Sequence, residues 1–73
     1  MPYDYSKLRG RIIEICGSQE EFARRTGMSA RSVSLKMTGK IPFKQQEIAS
    51  AIVVLGLSRS DIPAYFFELN VQD

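Results

Sequence analysis

The sequence contains no histidine, and its 73 residues include a single cysteine, Cys16. Without histidine, neither a histidine-based catalytic triad nor a histidine metal site can form. One cysteine makes no intramolecular disulfide and no zinc ribbon, and it is typical of a protein kept in a reducing compartment. A glycine-rich phosphate-binding loop is also missing. We therefore expect neither an enzyme nor a bound cofactor or metal.

Long hydrophobic runs are missing as well. The longest apolar stretch, residues 51–57, is interrupted by Gly56 and is far shorter than the roughly 20 residues of a membrane span. Residues 1–10 contain Asp4 and lack the apolar core of a signal peptide. Since 73 residues is the size of one domain, we expect a single soluble domain, residues 1–73, that is neither exported nor anchored in a membrane.

Charge is distributed unevenly along the chain. The net charge is only +2, but residues 1–44 hold nine Lys or Arg against four Asp or Glu, a net +5. Residues 45–73 hold one Arg against four acids, a net −3. A basic half suits a protein that presents one face to a polyanion, although a solvated surface with chance asymmetry gives the same counts.

Hydrophobic spacing and helix-boundary residues predict an all-α fold of five short helices. Glycines at positions 17, 27, 39 and 56 follow apolar-periodic segments, where helices end, and the segments begin at Asp4, Ser18, Ser29 and Ser58, where helices are capped. The predicted helices cover about residues 5–16, 19–26, 30–38 and 45–55. Pro63 opposes a long fifth helix, so two short helical turns are expected within residues 59–67. No segment is a convincing strand, and we expect the chain after Asn70 to be loose.

The helical spacing also predicts which side chains form the core. The expected inner positions are Leu8, Ile12 and Ile15 in helix 1, Phe22, Ala23 and Thr26 in helix 2, Ala30, Val33 and Met37 in helix 3, and Ile48, Ala49, Ile52 and Leu55 in helix 4. Cys16 and Met28 are expected in the core or at its boundary.

Residues 19–38 carry the most informative pattern. Helix 2, a short turn at Gly27 and helix 3 form two angled helices joined by three or four residues, which is the helix-turn-helix arrangement. Ala23 is small where the two helices meet, and Gly27 can adopt the left-handed conformation at little cost. Because such proteins place the second helix in the major groove, the pattern predicts a DNA-binding regulator of transcription.

The spacing of Gln19, Ala23, Gly27 and Val33 resembles the helix-turn-helix of the phage Cro and repressor superfamily. Four further segments, residues 4–10, 32–37, 39–43 and 62–67, resemble short Cro-like proteins from phages and prophages of Gram-positive bacteria. That resemblance implies a cytoplasmic regulator of a lysis–lysogeny switch in a bacterial host cell. The group includes lytic-switch regulators and a modulator of repression that acts on the phage repressor protein. Lys36 departs from the superfamily, since many relatives have an apolar residue there.

Four residues lie on the predicted outer face of helix 3, opposite its core positions: Arg31, Ser34, Leu35 and Thr38. Arg31 lies in the first turn, where its guanidinium can reach guanine O6 and N7 or a phosphate. The two hydroxyls can bond bases or phosphates. Leu35 is unusual on such a face, and it fits a thymine methyl, a buried contact with a protein partner, or a lone exposed leucine equally well.

Further contacts to the DNA backbone are expected at the helix starts and in the connector. Gln19 opens helix 2, and Ser29 directly precedes helix 3. The free N–H groups at these helix starts attract phosphate. Lys40 and Lys44 flank the connector before helix 4, and Lys44 stands where a Ser or Thr cap would be expected. Each of these residues is also explained by an ordinary solvated surface.

Two functions from different classes remain. The first is occupancy of double-stranded operator DNA by a dimer. The aromatic group Tyr65, Phe66 and Phe67 is a candidate dimer or partner contact, and part of it is expected to close the core over helix 4. The second is a protein-interaction module that binds a phage repressor and blocks its binding to DNA. The basic first half and Arg31 favour the first, whereas the small net charge and Leu35 favour the second.

Overall fold

The computed structural model describes residues 3–69, and these form an all-α fold. The helices are α1 (Ser6–Cys16), α2 (Gln19–Thr26), α3 (Ala30–Met37) and α4 (Gln45–Val54). A 3₁₀ turn, Arg59–Asp61, then leads directly into a short α5, Ile62–Phe66. The prediction of five short helices is confirmed, including the two helical turns at the end.

Local capping explains where the helices begin. The Ser18 hydroxyl accepts a hydrogen bond from the Glu21 amide at 3.1 Å, and the Ser29 hydroxyl accepts one from the Ser32 amide at 3.0 Å. The Asp4 carboxylate accepts a hydrogen bond from the Ser6 amide at 2.9 Å, and hydrogen bonding to the Ser6 side chain and amide lowers the pKa of Asp4. These bonds satisfy amides that have no partner inside their helix.

The core lies where the five helices pack together. Its fully buried side chains are Leu8, Ile12, Phe22, Val33, Leu55 and Phe66. Ala23, Met37 and Ala51 are also buried, and Cys16, Met28, Ile48 and Ile52 are half-buried against them. Most of the predicted inner positions are therefore confirmed.

Three predicted core positions are wrong. Ile15 is 37% exposed, and Ala30 and Ala49 are both exposed. In α4 the buried residue is Ala51, which was not among the predicted inner positions, so the inner face of the helix is rotated relative to the predicted one. Ala30 is the first residue of α3 and precedes the turn that packs against α2.

The two ends of the described chain meet. Tyr3 and Leu69 form an antiparallel bridge, and the Asp4 amide donates to the Glu68 carbonyl at 2.7 Å. This isolated bridge is the extent of β-structure within residues 3–69. No helix in that range is long and apolar enough to span a membrane. The predicted loose tail after Asn70 lies outside the described residues.

Candidate functional site

The candidate site is built on α2, the turn that follows it and α3. Gly27 ends α2 with a φ of 80°, in the left-handed region that favours glycine. The next amide, that of Met28, donates back to the Ala23 carbonyl at 2.9 Å. Ala23 is 2% exposed, so α3 packs directly against this part of α2. The turn thereby fixes the direction in which α3 leaves α2.

The outer face of α3 carries the polar residues that the sequence predicted there. Arg31, Ser34 and Thr38 are exposed, whereas Leu35 is half-buried. The Thr38 hydroxyl donates to the Ser34 carbonyl at 3.0 Å, so its proton is already used and its oxygen remains as an acceptor. Ala30, which was expected in the core, instead extends this exposed surface beside Arg31.

The residues proposed to contact phosphate differ in how available they are. Gln19 is half-buried at the start of α2. Ser29 is exposed, but its hydroxyl already accepts the Ser32 amide. Lys40 and Lys44 are both exposed, and the Lys40 amide donates to the Leu35 carbonyl at 2.9 Å. The connector therefore begins directly against the last turn of α3.

The start of α4 is capped by an acidic residue that the sequence analysis did not single out. A Glu47 carboxylate oxygen accepts a hydrogen bond from the Lys44 amide at 2.7 Å. The Lys44 side chain makes no capping hydrogen bond, as expected from its position, and Glu47 instead binds the amide of this residue. A carboxylate at this position occupies the charge-binding end of the helix dipole and disfavours a phosphate there.

The same carboxylate oxygen holds a buried lysine. The Lys36 ammonium lies 3.3 Å from Glu47, and the two side chains are 4% and 19% exposed. Lys36 has an unusual position in the sequence, three residues after Val33 on the apolar side of α3. This position indicated that Lys36 needs an acidic partner, but sequence spacing alone did not identify Glu47 as that partner. The pair joins the last turn of α3 to the first turn of α4.

Ion pairs neutralise part of the basic half of the chain. Arg24 and Arg25 both donate to Glu21, at 2.8 and 2.7 Å, and their hydrogen bonds lower the pKa of Glu21 to about 2. Arg11 pairs with Glu14 at 3.4 Å and also donates to the Leu55 carbonyl at 3.0 Å. With Lys36, four of the nine basic residues in 1–44 have an acidic partner within residues 3–69. The charge available to a polyanion is therefore smaller than the sequence count indicates.

The predicted aromatic contact is only partly at the surface. Phe66 is 1% exposed and packs edge-on against Phe43, with ring centroids 5.2 Å apart. The prediction that it contacts a dimer or other partner does not hold in this structure, because its ring is part of the core. Phe67 is 49% exposed, and Tyr65 is half-buried with the Lys7 ammonium 5.0 Å from its ring centroid.

No cluster of three or more His, Cys, Asp or Glu side chains that could hold a metal ion occurs within residues 3–69. The side chains of the candidate site are instead hydroxyl, amide, guanidinium, ammonium and alkyl groups. These groups are suited to non-covalent recognition of a macromolecule.

The fold and the site define a small all-helical protein with a compact two-helix unit, α2–turn–α3. Residues 1–69 match the family described as "Protein of unknown function (DUF739)", and the chain belongs to that family. It is also similar to the solution structure of the modulator of repression (MOR) of the temperate bacteriophage TP901-1 from Lactococcus lactis. The two are 52% identical over 92% of this chain and 90% of that chain, with a TM-score of 0.80. A comparison with curated proteins found no significant match.

Proposed function

We propose that this protein regulates a phage or prophage lysis–lysogeny switch by binding the phage repressor protein and blocking its binding to DNA. The observation that carries the proposal is the 52% identity, over nearly the whole chain, to a phage modulator of repression. Identity at this level extends to surface residues as well as to the core. A shared mode of action is therefore a stronger inference than a shared fold alone.

The surface of α3 supports a protein target. Leu35 is an apolar side chain between the exposed Arg31 and Thr38, which gives the face an apolar centre with a polar border. Protein interfaces have this composition, with charged groups depleted at the centre. Three carboxylates pair with four cations of the basic half, which leaves fewer charges for phosphates.

Replacing Leu35 with alanine is expected to weaken binding to the repressor by about 2 kcal/mol, because an apolar side chain at the centre of an interface is an anchor. The measurement is calorimetric titration of the repressor encoded beside this protein with wild type and Leu35→Ala. Ile13→Ala is the matched control, since Ile13 is 50% exposed on α1 and away from α3.

A melting curve for each variant separates lost binding from lost stability, since Leu35 is half-buried in the free protein. Wild type that binds operator DNA specifically and does not bind the repressor would contradict the proposal.

Binding of operator DNA is the second candidate, and it rests on the alignment of Arg31, Ser34 and Thr38 along one exposed face of α3. A dimer on half-sites about one helical turn apart would exclude polymerase or a competing repressor. Lys40 and Lys44, which are exposed after α3 and at the start of α4, would contact the DNA backbone. The surface for self-association would then include Tyr65 and Phe67 and not the buried Phe66.

For this second candidate, Arg31→Ala is expected to cost about 1–3 kcal/mol on the cognate operator and to relax the preference at one base pair. The reason is that a guanidinium in the first turn of a recognition helix makes two hydrogen bonds to guanine. Mobility-shift titrations on operator and random DNA provide the measurement. An equal loss on both DNAs would show that Arg31 contacts only phosphate.

A further inference from the structure

Helix α4 has an apolar outer side that nothing in residues 3–69 covers. Val53 is 79% exposed, the most exposed of the large hydrophobic residues described. Ala49 is exposed one turn before it, and Ile48 and Ile52, which pack against the core, are half-buried between the core side and this outer side. The opposite side of the helix, with Ala51 and Leu55, faces the core. The helix therefore exposes apolar side chains beyond those that the core covers.

Two grooves run along the outer side of α4 and meet at Ala49. The first lies toward α2, and Arg25, Ser50 and Val53 are among the residues that line it. The second lies toward the 3₁₀ turn and α5, and it has an apolar floor that includes Ile52 and Ile62. Two grooves on either side of a small central residue form a surface on which another helix can lie closely.

Each groove has an arginine at its edge and no acidic side chain in its lining. Arg25 lines the first groove and Arg59 lines the second. Arg59 makes no ion pair with any residue in 3–69, and Arg25 shares the single carboxylate of Glu21 with Arg24. The apolar surface is thus bordered by positive charge on both sides.

We propose that the outer side of α4 is a docking surface for an amphipathic helix whose apolar stripe is bordered by acidic side chains. The surface lies on α4, so the inference goes beyond the recognition by α3 proposed above. The partner's apolar residues fill the two grooves, and its carboxylates pair with Arg25 and Arg59. With ten residues, α4 is about 15 Å long, which matches a partner helix of about three turns.

A second copy of this chain fits the surface less well. In a symmetric pair, each copy would bring Arg25 and Arg59 to the same contact, which places like charges together. Charge therefore favours a different, acidic partner.

The test uses the full ¹⁵N-labelled chain and two stapled helical peptides with the same leucine stripe. One peptide has glutamates beside the stripe and the other has lysines. The glutamate peptide is expected to shift the amide signals of Ala49, Ser50 and Val53 and to bind about tenfold more tightly than the lysine peptide. Val53→Glu should abolish this binding, whereas the matched control Ile13→Glu should preserve it. Arg59→Glu should reduce the preference for the glutamate peptide.

Three results would overturn the proposal. The first is the absence of α4 shifts with either peptide. The second is equal affinity for the two peptides, which would remove the charge argument. The third is self-association of the chain alone in sedimentation, lost in Val53→Glu, which would show that a second copy covers the surface. Because these experiments contain no repressor, their failure leaves the proposed function of α3 unaffected.

Discussion

Glu47→Gln is expected to lower the free energy of unfolding by about 3 kcal/mol or more. The substitution preserves the size of the side chain and its hydrogen bond to the Lys44 amide but removes the negative charge 3.3 Å from the Lys36 ammonium. Lys36 is 4% exposed, so it is almost entirely shielded from water. Breaking a buried ion pair from one side leaves an uncompensated charge, and such losses are about 3–5 kcal/mol. For a domain of this size, that is a large share of its stability.

Replacing Lys36, the other member of the ion pair, provides the control. Lys36→Met removes the buried charge and leaves Glu47, which is 19% exposed and still accepts the Lys44 amide. We expect Lys36→Met to change stability by less than Glu47→Gln, and the double variant to recover most of the loss. Urea denaturation of the four proteins measures these differences. Similar stability of Glu47→Gln and wild type would show that the Lys36 ammonium reaches solvent.

The ion pair also connects stability to the candidate site. Glu47 holds the last turn of α3 through Lys36 and the start of α4 through the Lys44 amide. The connector between the two helices, which contains Lys40, is therefore fixed at both ends. A loss of this link would let α3 shift relative to α4 and would weaken any contact that needs both the α3 face and Lys44.

The helix boundaries were predictable because local interactions set them. Ser18 and Ser29 cap α2 and α3 with their own hydroxyls, and Gly27 turns the chain in a conformation that other residues rarely adopt. All of these signals act within four residues of sequence. The turn chemistry of the α2–turn–α3 unit could therefore be predicted before the fold was known.

The faces of the helices were less predictable because distant neighbours decide them. Ile15 and Ala49 have the right spacing to be core, but no other element in residues 3–69 covers them fully. Lys36 is charged and is therefore not a typical core residue. It is buried because the turn before α4 brings Glu47, eleven residues later in sequence, next to it. Helical spacing identifies an apolar stripe, but it does not identify whether another element of the protein covers that stripe.

In the candidate site too, local sequence predicts some features and distant residues decide others. Arg31, Ser34 and Thr38 were placed on the exposed face of α3 by helical geometry alone, and the structure has them there. Phe66 was placed with its neighbours in a partner contact, but its ring packs against Phe43 from the connector before α4. That contact is between residues far apart in sequence, which no local pattern specifies.

Ala23→Leu is expected to destabilise the protein by roughly 1–3 kcal/mol through overpacking. Ala23 is 2% exposed on α2, and its carbonyl accepts the Met28 amide in the turn, so a larger side chain has to push α3 away from α2. In a domain of this size, each kcal/mol lowers the melting temperature by about 4–8 °C, which makes the effect easy to measure by circular dichroism.

Ala30→Leu is the matched control, because it makes the same change at the exposed first residue of α3. It is expected to leave the melting temperature nearly unchanged, since surface substitutions are usually within about 0.5 kcal/mol of wild type. Together, the two variants test whether Ala23 faces the core and Ala30 faces solvent. Equal melting temperatures for both would mean that α2 and α3 separate enough to accommodate leucine at Ala23. The direction of α3, and with it the position of Arg31 and Leu35, would then be set by the Lys36–Glu47 pair and not by close packing at Ala23.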